Sequence, residues 1–114
     1  MLRQENRLKK RKEFAYLYNN GKAKHTNNIT MVYLPTKNRK LKIGFSLSKK
    51  IGKAHTRNLI KRRLRAIVRE IVPTMKDNYN VVFIGKSGIE NLTFNNLKLE
   101  VTRLITQSEL VKEC

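Results

Sequence analysis

Between Glu13 and Glu70 the chain contains no acidic residue. Across residues 14–69 fifteen Lys and Arg stand without a single Asp or Glu. Of the net charge of +18, residues 1–69 carry +19 and residues 70–114 carry −1. Charge is therefore sorted along the chain, not merely abundant. The missing carboxylates exclude a Mg²⁺ site built from protein oxygens in this stretch. They also leave like-charge repulsion uncompensated, which destabilises the compact state unless something negative neutralises it. A polyanion with regularly spaced charge, nucleic acid above all, is the partner that best explains such a field.

Other absences narrow the field further. The one cysteine is the last residue, Cys114, so no intramolecular disulfide is possible and nothing points to an oxidising compartment. A frayed terminus is the plainest reading of that position. His25 and His55 have no acid or cysteine near them in sequence, which fits a surface or phosphate-contacting role better than general-base or metal-ligand duty. The segment GKSG at 85–88 lacks the length and spacing of a nucleotide-binding phosphate loop, and no small-molecule substrate is indicated. The start, MLRQENRLKKRKEF, has no apolar signal region, and no apolar run approaches the ~18 residues needed to span a bilayer. We expect a cytoplasmic protein without a membrane partner. Anionic lipid is an alternative polyanion, but the basic helix described below needs its apolar side for the core.

What remains is one domain, residues 1–114, with 39% hydrophobic residues. The apolar residues are periodic, which opposes disorder despite the charge. Residues 1–10 read as a flexible basic arm with Leu2 and Leu8 as its only anchors. Phe14, Leu17 and Tyr18 then share one face of a short helix over 11–20, with Gly21 placed as a left-handed cap. Residues 29–34, ITMVYL, predict a strand stopped by Pro35, and 41–48, LKIGFSLS, alternate as a half-buried strand. The two are expected to pair antiparallel across the turn TKNRK, and a short extra strand near 22–27 is a further expectation. A helix over 54–72 ends at Pro73, a strand covers 79–84, and Thr93 caps a second amphipathic helix over 94–110. Strand, helix and strand in sequence imply a crossover connection within one sheet.

Residues 54–72 are the most informative. At 100° per residue Ile60, Leu64, Ile67 and Ile71 gather on one side, while Asn58, Arg62, Arg65 and Arg69 lie nearly opposite. Lys61 sits on the flank, Arg57 nearer the apolar edge, and Lys49, Lys50 and Lys53 lead in from the preceding loop. A merely solvated helix mixes signs to gain i,i+4 pairs. This one forgoes them, and its arginines present forks suited to phosphate oxygens. The amides of the helix start add a further anion-favouring feature near Gly52 to His55. A nuclear-localisation reading of KRRLR is weaker, because those residues already have a place on a folded helix.

The run KKIGKAHTRNLIKRRLR resembles the signature of the protein subunit of bacterial ribonuclease P, a strand ending in Ser-Lys-Lys-x-Gly followed by a helix bearing Arg-Asn-x-x-Lys-Arg-x-x-Arg. Ser48, Lys49, Lys50, Gly52, Arg57, Asn58, Lys61, Arg62 and Arg65 match it. RLKKRKEFAYLYNNGK is similar to that family's basic start and its aromatic pair one turn apart. Lys53 and His55–Thr56 depart from it. The resemblance implies an α/β (α+β) two-layer sandwich with a four-stranded sheet and about three helices, like the second domain of ribosomal protein S5, and a left-handed βαβ crossover. It also implies an accessory subunit of an RNA-based endonuclease. Such a subunit binds the catalytic RNA and the 5′ leader of precursor tRNA, with Mg²⁺ held mainly by the RNA, which carries out the hydrolysis. Phe14, Tyr18 and a tyrosine on the following strand, Tyr33, would line the leader cleft; on residues alone, an aromatic pair at i, i+4 is more often core. The alternatives are a ribosomal-type RNA-binding protein and a DNA-binding recognition helix, the latter opposed by the strand–helix–strand order.

Overall fold

The structure is a computed structural model that describes residues 6–37 and 40–112. Its elements run α1 (Arg11–Asn20), β1 (Lys22–His25), β2 (Ile29–Pro35), β3 (Lys42–Leu47), α2 (Ala54–Ile71), β4 (Tyr79–Gly85) and α3 (Phe94–Gln107). The expected short strand after Gly21 is β1. Thr93 caps α3 as expected, accepting from the Asn96 amide at 3.1 Å. Pro73 ends α2 in a tight 3₁₀ turn over Val72–Thr74.

The four strands form one mixed sheet in the order β1-β2-β4-β3. β1 pairs with β2 and β2 with β4, both antiparallel, whereas β3 and β4 are parallel. The expected β2–β3 hairpin is therefore corrected: β4 lies between them. The turn TKNRK is short enough for a hairpin, but β4 is apolar on both faces and takes an interior position beside β2. Val81, Val82 and Phe83 are wholly inaccessible. The crossover expected from strand–helix–strand order is β3–α2–β4.

Alternation along each strand divides the core. Ile29, Met31, Ile43, Val81 and Phe83 face α2 and α3, where they meet Ile60, Leu64, Ile67 and Val68 of α2 and Leu97, Val101, Leu104 and Ile105 of α3. Phe45 and Phe83 stack on this side, with ring centres 6.0 Å apart. The sheet and these two helices are the two layers of the main body. On the other face Val32 and Val82 form a smaller cluster with Leu8 and Leu17, joined by Phe14, Leu34 and Ile84.

Two local expectations change. Gly21 is extended (φ −80°, ψ 163°), not left-handed. It is needed for space: a Cβ would sit 2.7 Å from both the Leu17 carbonyl oxygen and the Val32 side chain. The basic arm, expected to reach residue 10, is already docked by Asn6. The Asn6 amide donates to the Leu41 carbonyl at 2.7 Å, the Leu8 N–H donates to the Ile43 carbonyl at 2.9 Å, and Leu8 is buried. Arg7 bridges β3 in parallel. This segment covers an edge that would otherwise present unpaired backbone groups. Leu2 and Cys114 lie outside the described residues.

A polar knot closes the far end of the sheet. Glu100 on α3 accepts from the Thr26 hydroxyl at 2.6 Å and from the Asn28 side-chain amide at 2.9 Å. Lys86 donates from Nζ to the Thr26 carbonyl at 3.1 Å. The Glu100 bonds fix the β1–β2 turn to α3 across 72 residues or more of chain, and Lys86 adds a tie from the loop after β4. Glu100→Ala leaves three donors, the Thr26 hydroxyl and both Asn28 N–H groups, without their charged acceptor and is expected to cost about 1–3 kcal/mol. Urea unfolding measures that loss, and an unchanged midpoint would show that water replaces the carboxylate fully.

Candidate nucleic-acid interface

α2 is amphipathic because its apolar residues recur every three or four positions. Burying Ile60, Leu64, Ile67 and Val68 on the sheet turns the opposite side outward. Asn58, Arg62 and Arg69 are exposed there, while Lys61 and Arg65 are half-buried on the flank toward β3. Arg62, Arg65 and Arg69 border a recess of about 550 Å³ together with Ala66 and Glu70. Glu70, the acid that ends the cationic run, is drawn off by Lys98 of α3 at 3.1 Å.

The loop into α2 carries Lys49 and Lys50 in a 3₁₀ turn and Lys53 at the N-cap, all three exposed. Lys53 gives no side-chain cap, so the first-turn amides of α2 have no side-chain acceptor at that position. Arg57 behaves differently from its neighbours. It is half-buried, and its Nε donates to the Gly52 carbonyl at 3.2 Å. It holds the turn that positions the lysines, a role its place near the apolar edge of the helix foreshadowed.

On the opposite sheet face the aromatic pair of α1 is only partly covered. Phe14 is half-buried and Tyr18 is 45% exposed, with ring centres 6.3 Å apart and planes tilted by 49°. Phe14 lies over Gly44 of β3, where a Cβ would come within 2.6 Å of the ring. A glycine inside a strand marks such a close approach. Glu13, one turn into α1, is tied to Lys42 of β3 at 3.5 Å, which steadies the helix on the sheet.

The two surfaces meet at the β3 edge. A notch of about 100 Å³ is lined by Phe14 and Gly44 from one side and by Lys61 and Arg65 from the other, with Arg7 and Leu8 between them. Gly44 and Leu8 were not foreseen as site residues. The glycine on the polar side of an otherwise regular alternation was the available signal. Tyr33 is a correction. Along β2 it falls in phase with Ile29 and Met31 and packs toward α3, while Val32 and Leu34 occupy the Phe14 side. It lines no cleft with Phe14 and Tyr18.

Among the described residues there is no group of three or more His, Cys, Asp or Glu able to hold a metal ion. No helix among them is long and apolar enough to cross a membrane. His25 bonds Thr30 Oγ1 at 3.0 Å, and His55 is exposed at the start of α2.

The fold is a mixed α+β sheet flanked by a cationic helix, whose single carboxylate, Glu70, lies near its C-terminal end, and by a half-open aromatic pair. The family model for Ribonuclease P matches residues 2–109. The chain is 36% identical to the ribonuclease P protein component of Caldanaerobacter subterraneus subsp. tengcongensis, over 94% of this chain and 92% of that protein. It is 32% identical to that of Fusobacterium nucleatum, over 93% and 99%. The chain thus belongs to the ribonuclease P protein family. Solved structures agree in fold. The Staphylococcus aureus RNase P protein superposes with a TM-score of 0.88 at 20% identity, covering 94% of this chain and 98% of that one. The Thermotoga maritima protein gives 0.82 at 21%, covering 89% and 96%.

The contact between Phe14 and Gly44 yields a test. Gly44→Ala is expected to cost about 1–3 kcal/mol, because the methyl group must displace the ring. In a Phe14→Ala background most of that cost should vanish, and a double-mutant cycle in urea would measure the coupling. Equal costs in both backgrounds would place the strain elsewhere.

Proposed function

We propose that this chain works as the protein component of ribonuclease P, binding the catalytic RNA and the 5′ leader of precursor tRNA and promoting Mg²⁺-dependent endonucleolytic removal of that leader. The observation that carries this reading is the notch at the β3 edge, where Phe14 meets Lys61 and Arg65. A folded RNA engages the outer side of α2 through Arg62, Arg65 and Arg69, with Lys49, Lys50, Lys53 and Asn58 along the helix entry. A single strand continues across the notch onto Phe14 and Tyr18. Stacking on an aromatic ring contributes about 1–3 kcal/mol per base without demanding a particular sequence, which suits leaders that differ between precursors.

The protein's donor set does not fit a Mg²⁺ site of its own. Glu13, Glu70 and Asp77 each lie against a lysine, at 3.5, 3.1 and 3.9 Å. Glu100 is committed to Thr26 and Asn28. In this reading the metal ions stay with RNA oxygens, and the protein's share is to position two RNAs and lower the repulsion between them. The hydrolysis belongs to the RNA.

Reconstitution with a bacterial ribonuclease P RNA at low Mg²⁺ is the direct test. Precursor cleavage that requires both components is expected, whereas tight RNA binding with no cleavage in any such RNA would favour a ribosomal-type role. Arg62→Gln and Arg65→Gln should each flatten the salt dependence of RNA binding by about 0.7–0.9 per lost phosphate contact. Phe14→Ala should weaken precursor tRNA by about 1–3 kcal/mol and leave mature tRNA nearly unchanged. Equal losses for both substrates would remove the leader assignment.

A further inference from the structure

The displacement of Tyr33 from the cleft leads to a second surface. On the α2/α3 side of the sheet, β1 presents Lys22 and Lys24, two residues apart and therefore on one face. The register sets Lys22 opposite Tyr33, and Tyr33 in turn opposite Val81. Tyr79, two residues before Val81, lies diagonally beside Tyr33 on the same face. Lys76 rises from the turn before β4, its backbone N–H donating to the Leu110 carbonyl at 2.6 Å. These three lysines and two tyrosines surround a depression of about 340 Å³.

The far wall is the end of α3. Ser108 there has a buried hydroxyl with no hydrogen-bond partner, and Gln107 and Glu109 stand beside it. Buried polar groups are ordinarily satisfied, and Ser108, which lines the depression, carries a hydroxyl that is not. Glu109 and the negative end of the α3 dipole make this wall unfavourable to phosphate. The opposite wall is strongly cationic. Among the described residues Lys22, Lys24 and Lys76 are in no ion pair.

We propose that this depression is a second site for single-stranded RNA, separated by the sheet from Phe14 and Tyr18. One base rests against Tyr33 and Tyr79 with its polar edge toward the exposed Gln107. The flanking phosphates follow Lys22 and Lys24 along β1, and Lys76 closes the backbone side. The size of the depression, at the lower end of the range of small-ligand sites, fits one nucleotide rather than a helix. β1 is the sheet's outer strand on this side, so an extended strand can run along it without obstruction. The site takes its ligand class from the RNA-binding reading, but it shares no residue with the α2 face or the β3-edge notch.

Photo-crosslinking tests it residue by residue. A 5′-phosphorylated pentauridylate carrying 5-bromouridine is irradiated with the full chain, and adducts are located by mass spectrometry. Adducts on Tyr33 or Tyr79 are expected. Their yield should fall severalfold in the Lys22→Gln/Lys24→Gln variant, while adducts on Phe14 or Tyr18 stay unchanged. Both lysines are exposed, so the fold tolerates the change. The salt slope of the binding lost should drop by about 0.7 per phosphate contact. Adducts confined to Phe14 and Tyr18, or a yield indifferent to the lysines, would overturn the proposal and leave the leader cleft standing. Adducts confined to Tyr33 and Tyr79 would do the reverse. Placing bromouridine in the RNA subunit and then in precursor tRNA, within the reconstituted holoenzyme, distinguishes which RNA supplies the strand. Adducts from neither would also overturn it.

Discussion

Everything in this molecule depends on where β4 sits. Val81, Val82 and Phe83 present apolar side chains to both faces and lose all exposure between β2 and β3. A strand apolar on both sides is stable only with packing above and below. One face is therefore covered by α2 and α3, and the other by α1 with residues 6–8. Because β4 joins β3 in parallel, the chain must cross the sheet between them, and the crossover is α2. The cationic helix is thus a consequence of the sheet order. Its apolar residues are held by the core, and Arg62, Arg65 and Arg69 form one bank on the outer side.

The same insertion explains what could be read from the sequence and what could not. The stripe Ile60, Leu64, Ile67 and the alternation of β3 are local patterns, and both elements stand where those patterns put them. Pairing is not local. β2 and β3 are near neighbours in sequence, and nothing within either reveals that a strand beginning at Tyr79 will separate them. Tyr33 failed for a related reason. ITMVYLP is almost uniformly apolar, so polarity does not tell its two faces apart. Only counting in steps of two from a residue of known side would have put Tyr33 with Ile29 and Met31. Arg57 and Gly44 were legible in kind, as an arginine near an apolar edge and a glycine in a strand. Their partners, the Gly52 carbonyl and the Phe14 ring, needed the fold.

The sheet also divides the positive charge. Cations of the acid-free stretch reach solvent on α2, at the β3 edge and on β1, while the acids near them are engaged: Glu13 with Lys42, Glu70 with Lys98, Glu100 with the β1–β2 turn. Carboxylates here serve to anchor elements. They trim the field where an element must be steadied and leave it intact where RNA would lie. Of the acids in the near-neutral C-terminal third, Glu100 anchors the basic part of the chain at Thr26 and Asn28, whereas Glu70 and Asp77 pair with lysines of that same third.

α2 could have been made more stable in isolation. Placing glutamates four residues from its arginines would gain about 0.3–0.5 kcal/mol per pair, on the order of 1–2 kcal/mol for the helix. Against this, burial of Ile60, Leu64, Ile67 and Val68 supplies about 1.5–3 kcal/mol each, an upper estimate because the unfolded chain already hides part of that surface. The core term exceeds the forgone pairs severalfold, so tertiary packing carries the helix and frees its outer side from any duty to stabilise it. A carboxylate introduced there would gain a few tenths of a kcal/mol for the helix. It would also occupy an arginine fork with an intramolecular partner and set a like charge beside every approaching phosphate. The absence of acids from α2 before Glu70 is thus inexpensive for the fold and sets the sign of its outer surface.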